Sequence, residues 1–124
     1  MNTSSGSATP TVVLVEDDAA SRTALARVLR AAGFDTTTFE SAEAFLAALP
    51  RIAPICCVLD IQLGGMSGLD LQRTLRDEGS KVPVIIMTSF DEPRLRTQAF
   101  RDGCLEFLSK EADAGQLLAL LRSL

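Results

Sequence analysis

Polar side chains that could take part in binding or catalysis follow the apolar segments of this 124-residue sequence. They are carboxylates, hydroxyls and one amine, and each group stands directly after, or close behind, a short run of aliphatic residues. In chain order they are Glu16, Asp17 and Asp18, then Asp60, then Thr88 and Ser89, and finally Lys110. Because loops are polar in any protein, a single such residue carries little information. Their recurrence after uninterrupted apolar runs favours a shared site.

Brought together, these groups predict phosphoryl-transfer chemistry. Carboxylates that converge on one point repel each other unless a cation offsets their charge. Oxygen ligands of this kind suit Mg²⁺. A lysine and a threonine hydroxyl would then supply donors for phosphoryl oxygens. The natural acceptor is an aspartate, which forms an acyl phosphate by nucleophilic attack.

Several other chemistries are excluded by what the sequence lacks. It has no His, so Ser-His-Asp, Cys-His and His-metal sites cannot be built from this chain. It also has no Trp or Tyr, which removes many aromatic stacking sites. It has no Gly-rich loop of the kind that binds nucleotides. The net charge of −4 argues against direct nucleic-acid binding by this domain. No apolar run approaches the roughly 20 residues of a membrane-spanning helix.

Composition indicates one globular domain in a reducing compartment. The sequence is 47% hydrophobic and 23% charged, as in ordinary folded proteins. Its three cysteines include an adjacent pair, which does not resemble a secreted disulfide framework. We therefore interpret them as buried free thiols of a cytoplasmic protein. Residues 1–10 are small and polar without an apolar core, which predicts a flexible tail and not a signal peptide.

The elements that must position the polar groups alternate between strands and helices. Apolar or β-branched runs predict strands at 12–15, 35–39, 55–59, 82–87 and 105–108. Amphipathic spacing predicts helices at 21–32, 41–49, 67–77, 93–102 and from 113 onward. Ser41, Ser67 and Asp113 are the expected N-caps. Asp18 is expected to be a solvated neighbour of Glu16 and Asp17.

Strict alternation predicts a doubly wound (βα)5 α/β fold with a parallel sheet and right-handed crossovers. The second strand is polar and belongs at an edge, whereas the first, third and fourth are apolar and belong inside. The flavodoxin-like strand order 2-1-3-4-5 satisfies both conditions. In such sheets ligands bind beyond the carboxyl ends of the strands, which is where the polar groups stand.

At these residues the sequence resembles the receiver domain of two-component response regulators. Four segments carry the resemblance, which covers residues 11–124: LVEDD at 14–18, LDIQLGGMSG at 59–68, MTS at 87–89 and FLSK at 107–110. The segment SAEAFLAALP at 41–50 is similar to receivers that precede LuxR-type DNA-binding domains.

The resemblance implies a role for each matching residue. Asp60 is the implied phosphoacceptor, and Glu16 and Asp17 are the acidic pair that binds Mg²⁺, Asp17 directly and Glu16 through water. The backbone carbonyl of Gln62 is the implied third ligand. The Thr88 hydroxyl and the Lys110 ammonium are implied to contact the phosphoryl group. The aromatic ring of Phe107 is implied to turn inward on switching.

Three departures from the family pattern leave an alternative open. Gly64 and Glu111 each replace a usual proline, and Glu16 replaces an aspartate. A non-proline cis peptide is costly, about 2.5–4 kcal/mol, so the Lys110–Glu111 bond is either trans or strained cis. The departures are the only support for a phosphorylation-independent pseudo-receiver that serves as an interaction module. A Mg²⁺ phosphatase or flavin binder would need segments that this chain lacks.

The resemblance implies a phosphorylation switch and not a metabolic enzyme. A histidine kinase or phosphotransfer protein would donate the phosphoryl group, and the domain would catalyse only its own phosphorylation and dephosphorylation. The implied partners are that kinase, an effector or output domain, and a second copy of the chain on phosphorylation. Phe90 is expected either to be exposed or to shield the acceptor from water, which would slow dephosphorylation.

Overall fold

Strands and helices alternate along the whole described part of the chain. The computed structural model describes residues 10–89, 92–111 and 114–124. The strands within it are β1 (Pro10–Val15), β2 (Thr36–Phe39), β3 (Ala53–Asp60), β4 (Val84–Thr88) and β5 (Glu106–Ser109). The helices are α1 (Ala19–Ala31), α2 (Ala42–Ala48), α3 (Gly68–Asp77), α4 (Pro93–Arg101) and α5 (Ala114–Arg122). A short 3₁₀ turn at Leu49–Arg51 follows α2.

The five strands form one parallel sheet in the order β2-β1-β3-β4-β5. This confirms the predicted fold class and strand order. Every residue of β2 is only half-buried, whereas β4 is buried along its entire length. The polar strand therefore lies at the edge because its threonines are not costly to leave near water.

Alternating side chains of the inner strands build a core on each face of the sheet. Val13 and Val15 of β1 pack with α2, α3 and α4, where Phe45 is completely buried. Val12 and Leu14 point to the opposite face and pack against buried leucines of α1 and α5. Burial on both faces explains why the central strands are continuous apolar runs. No helix in the described ranges is long and apolar enough to cross a membrane.

Helix α3 begins where the sequence predicts, and its first residue packs closely against the end of β3. The Ser67 hydroxyl accepts a hydrogen bond from the Asp70 N–H at 3.1 Å. Gly68 N–H donates to the Ile61 carbonyl at 2.9 Å. A Cβ at position 68 would overlap the carbonyl oxygen of Asp60, so this contact requires glycine. The start of α3 is therefore packed directly on the Asp60 backbone.

Most element boundaries differ from the sequence prediction by one or two residues, and two of these differences lie at the start of the chain. Strand β1 begins at Pro10, one residue inside the expected tail, and helix α1 begins at Ala19, two residues before the expected start. The second difference arises from Asp18, which is the N-cap of α1 and accepts a hydrogen bond from the Ser21 N–H at 2.8 Å. The view of Asp18 as a solvated neighbour was therefore incomplete. Ser41 caps α2 as predicted, while Asp113 lies outside the described residues.

Candidate functional site

Three carboxylates meet at the carboxyl end of the sheet. Glu16 follows β1 directly, Asp17 comes next, and Asp60 is the last residue of β3. One oxygen from each lies within 4.8 Å of the others. Glu16 and Asp60 are buried, whereas Asp17 is exposed and forms the solvent side of the group. Adjacent pairing of β1 with β3 brings these residues together, because Val15 is in register with Leu59.

Lys110 joins two of these carboxylates, those of Glu16 and Asp60. Its Nζ donates to Asp60 Oδ2 at 2.8 Å and to Glu16 Oε1. Its backbone N–H donates to the Thr88 carbonyl at 2.9 Å, which fixes the residue to the end of β4. Described peptide bonds include no cis bond, so the Lys110–Glu111 bond is trans. A trans bond therefore still allows the ammonium group to reach Asp60.

The pKa values of Glu16 and Lys110 reflect opposing effects of burial and hydrogen bonding. Burial raises the pKa of Glu16 above its usual value, although the hydrogen bond from Lys110 acts in the other direction. Burial alone would lower the pKa of Lys110, but the hydrogen bonds to Asp60 and Glu16 outweigh it, and the pKa is raised. The lysine therefore remains an ammonium that partly offsets the carboxylate repulsion.

The donor set fits a hard divalent cation. All three carboxylates offer oxygen, the cluster opens to solvent at Asp17, and Mg²⁺ prefers a few carboxylates together with retained waters. Gln62 borders the open cleft that Glu16, Asp17, Asp60 and Lys110 also line. Its N–H donates to Asp60 Oδ1 at 3.2 Å. The predicted Glu16, Asp17, Asp60 and Lys110 are thus brought together, with Gln62 beside them.

The two remaining predicted residues lie on neighbouring strands. Thr88 ends β4 and is completely buried, and Phe107 in β5 is 1% exposed. Ile86 is in register with Phe107, so Thr88, two residues further on, points to the same face of the sheet. The Arg96 guanidinium of α4 lies 4.9 Å from the centroid of the Phe107 ring. Phe90 lies outside the described residues.

Two residues near the site were missed by sequence reasoning. Arg22 of α1 donates from one guanidinium nitrogen to the carbonyls of Glu16 at 2.9 Å and Asp17 at 3.4 Å. Glu43 of α2 accepts from the Met66 N–H at 3.1 Å, in the loop that follows Asp60. Both are charged residues in the first turns of helices, where they look like ordinary solvated positions. The only signal for Arg22 in the sequence was its location one turn after the acidic pair.

Comparison with known proteins agrees with this geometry. The family model for the response regulator receiver domain matches residues 12–122. The chain belongs to the response regulator receiver family. Switching controlled by phosphorylation is the function of that family.

Individual relatives agree with the family assignment. The receiver is 35% identical to the transcriptional regulatory protein FixJ of Bradyrhizobium diazoefficiens, over 90% of this chain and 55% of FixJ. It is 36% identical to the DNA-binding transcriptional regulator NtrC of Salmonella typhimurium, over 89% of this chain and 24% of NtrC. The receiver thus spans about half of FixJ and a quarter of NtrC.

Solved structures share the receiver fold. FixJ-N superposes with a TM-score of 0.83 at 30% identity, covering 92% of this chain and 91% of FixJ-N. The receiver domain of the Francisella response regulator 1452 gives a TM-score of 0.86, covering 93% of this chain and 95% of that domain. Its identity of 21% supports the fold alone.

Proposed function

We propose that Asp60 accepts a phosphoryl group from a phosphohistidine of a histidine kinase or phosphotransfer protein. A carboxylate oxygen of Asp60 attacks phosphorus, the new O–P bond forms as the N–P bond breaks, and the electron pair stays on the imidazole nitrogen. The observation that carries this proposal is the meeting of Glu16, Asp17 and Asp60 with Lys110 at the rim of a receiver fold.

Glu16, Asp17, Asp60 and the Gln62 carbonyl would hold Mg²⁺. The bound ion supplies positive charge that reduces repulsion between the carboxylates and an incoming phosphoryl group. Lys110 donates to a phosphoryl oxygen with the same ammonium group that contacts Asp60 Oδ2. Thr88 donates its hydroxyl to a second phosphoryl oxygen, and its movement is transmitted to Phe107 on the neighbouring strand.

The domain catalyses only its own modification. In dephosphorylation, water attacks phosphorus, the acyl O–P bond breaks, and inorganic phosphate leaves while Asp60 regains its carboxylate. The phosphorylated face then binds an effector, an output domain or a second copy of the chain in the cytoplasm. Because the relatives FixJ and NtrC are named as transcriptional regulators, a DNA-binding output is the partner that we favour. The resemblance of residues 41–50 to receivers that precede LuxR-type domains favours that type of output.

Mass measurement after incubation with Mg²⁺ and a small acyl-phosphate donor tests this function. We expect a single phosphoryl adduct on the parent protein and none on Asp60→Asn, which keeps the side-chain size but lacks the nucleophilic carboxylate. Asp70→Asn, on the first turn of α3, is the matched control and should keep the adduct. An adduct of equal yield on Asp60→Asn would refute the assignment. A parent protein with no adduct would instead favour the pseudo-receiver.

A further inference from the structure

Arg22 contacts the backbone of Glu16 and Asp17 and, among the described contacts, not their carboxylates. Its side chain turns back from α1 over the turn that joins β1 to α1. One guanidinium nitrogen donates to the Glu16 carbonyl at 2.9 Å and to the Asp17 carbonyl at 3.4 Å. The donor group is a guanidinium, which carries a positive charge. A hydrogen bond from a charged donor is stronger than one between neutral groups.

Glu16 and Asp17 are held in different ways. The Glu16 carboxylate is held by the Lys110 ammonium and by the Asp18 N–H, which donates to Oε2 at 3.1 Å. Within the described ranges, no hydrogen bond or ion pair orients the exposed Asp17 carboxylate. The backbone of residues 16 and 17 sets the direction in which that side chain leaves the main chain. Arg22 is bonded to both of these carbonyls.

From this geometry we propose that Arg22 is a positioning residue for cation binding, acting through the backbone of Glu16 and Asp17. The inference rests on the proposed function, since it assigns Arg22 to the same Mg²⁺ site. Its guanidinium holds the turn in the conformation that directs the Asp17 carboxylate toward Asp60. Groups that orient metal ligands without touching the metal commonly change metal affinity by about 10- to 100-fold.

The positive charge of Arg22 acts against this effect. A cation near the site repels Mg²⁺, so removal of the charge alone would tighten binding. Because the guanidinium is bonded to backbone carbonyls and not to the carboxylates that it orients, we expect the loss of positioning to outweigh the relief of repulsion. The two effects have opposite signs, so the direction of the change in affinity distinguishes them.

Direct Mg²⁺ titration of the phosphate-free protein tests the proposal in four variants. We expect Arg22→Met to raise the Kd for Mg²⁺ by about 10-fold. Arg22→Lys should recover part of the affinity, because an ammonium can still donate to one carbonyl. Arg27→Met removes the same charge from an exposed position five residues further along α1 and should leave the Kd unchanged. Arg27→Lys controls for the change of cation.

The phosphorylation rate with a small acyl-phosphate donor provides a second readout. If Arg22 acts through Mg²⁺ affinity, Arg22→Met slows the reaction at low Mg²⁺ and returns to the parent rate at saturating Mg²⁺. A role limited to fold stability would instead change the urea unfolding midpoint in EDTA without changing the Kd of the folded protein. If Arg22→Met does not fold, the Kd of Arg22→Lys decides, since it must lie above that of the parent.

Three outcomes overturn this proposal and leave the proposed function standing. They are an Arg22→Met Kd equal to or below that of the parent, an equal rise for Arg22→Met and Arg27→Met, and a slow Arg22→Met rate that saturating Mg²⁺ does not restore. Absence of Mg²⁺ binding by the parent would overturn the proposed function as well. Normal binding by both the parent and Arg22→Met would overturn this inference alone.

Discussion

Lys110 reaches Asp60 without the proline that usually follows this lysine in the family. Its ammonium bonds Asp60 and Glu16, which are 50 and 94 residues away in sequence. Glu111 N–H donates to the Ser109 hydroxyl at 3.2 Å, so local hydrogen bonding supports the chain after Lys110. The replacement of proline by Glu111 therefore does not remove the lysine from the site, and it gives the pseudo-receiver alternative little support.

Asp17 provides a test of the proposed cation site at the level of one residue. We expect Asp17→Asn to weaken Mg²⁺ binding, because it removes the exposed carboxylate of the three. The same change should leave the free energy of unfolding in EDTA unchanged or higher, since it removes a repelling charge beside Glu16 and Asp60. Mg²⁺ titration and urea unfolding measure the two quantities.

Asp35→Asn is the matched control for Asp17→Asn. Asp35 is exposed and precedes β2, at the opposite end of the strands from Glu16 and Asp60, so its neutralisation should change neither quantity. Equal weakening of Mg²⁺ binding by both variants would mean that only net charge matters. Undiminished binding by Asp17→Asn would require the cation site to be moved away from this residue.

At the scale of elements, the loop between β3 and α3 combines a tight position with an open one. Gly68 packs against the Asp60 carbonyl, and a Cβ there would overlap it. Gly64, which stands in place of a usual proline, has open space around it, because a Cβ at this position would meet no atom within 4 Å. Glu43 of α2 holds the same loop through the Met66 N–H. The loop is therefore anchored at its end and from α2.

Alanine substitutions at the two glycines test this difference. Gly68→Ala must push α3 away from β3, and overpacking of this kind typically destabilises by about 1–3 kcal/mol. It should also lower the phosphoryl adduct yield, because the displaced backbone belongs to Asp60. Gly64→Ala should be neutral or stabilise by about 0.4–1 kcal/mol, because it restricts the unfolded chain without a clash.

Urea unfolding of both alanine variants gives the comparison. A Gly68→Ala protein as stable as the parent would contradict the tight packing of Gly68 on the Asp60 carbonyl. A Gly64→Ala protein destabilised as much as Gly68→Ala would contradict it too, since the loop would then be tight throughout.

At the scale of the whole molecule, the sheet isolates the thiols from solvent. Cys56 and Cys57 are adjacent in β3 and point to opposite faces, so each is buried in a different core. Burial raises the pKa of both to about 12, and that of Cys104 to about 11. All three are free thiols, as expected from the sequence. They behave as small apolar side chains.

We expect these thiols to resist alkylation in the native protein. At pH 8 a thiol with a pKa of about 12 is ionised in only about one molecule in 10⁴, and only the thiolate is nucleophilic. Urea should make all three reactive within the same reaction time. Mass spectrometry after iodoacetamide treatment counts the labelled sites. Rapid labelling of the folded protein would show that the cores open to solvent.

The same pKa shifts predict the direction of a pH effect on stability. The folded state holds the thiol protons above the ordinary pKa of 9.0, where the unfolded chain releases them. The stabilisation is complete below pH 9 and is lost as the pH rises toward about 12. Unfolding free energy measured from pH 8 upward should therefore fall, and it should fall less in Cys57→Ala. An equal fall of the unfolding free energy with pH in Cys57→Ala would contradict the raised pKa of the Cys57 thiol.

Local patterns in the sequence determined most of the architecture. Apolar runs specify the inner strands, the threonines of β2 specify an edge, and Ser67 specifies the start of α3, because each depends on neighbours within a few residues. The order of the strands then places Glu16 and Asp60 at one rim. The resemblance to a known family assigned the roles of these residues.

The partners of long side chains were decided only by the tertiary structure. Lys110 bonds both Glu16 and Asp60, which stand 94 and 50 residues away in the sequence. A lysine or arginine has several rotatable bonds and many competing acceptors, so its type and spacing do not select one. The selection is made when distant strands pair and place a particular oxygen within reach, which no short window of sequence contains.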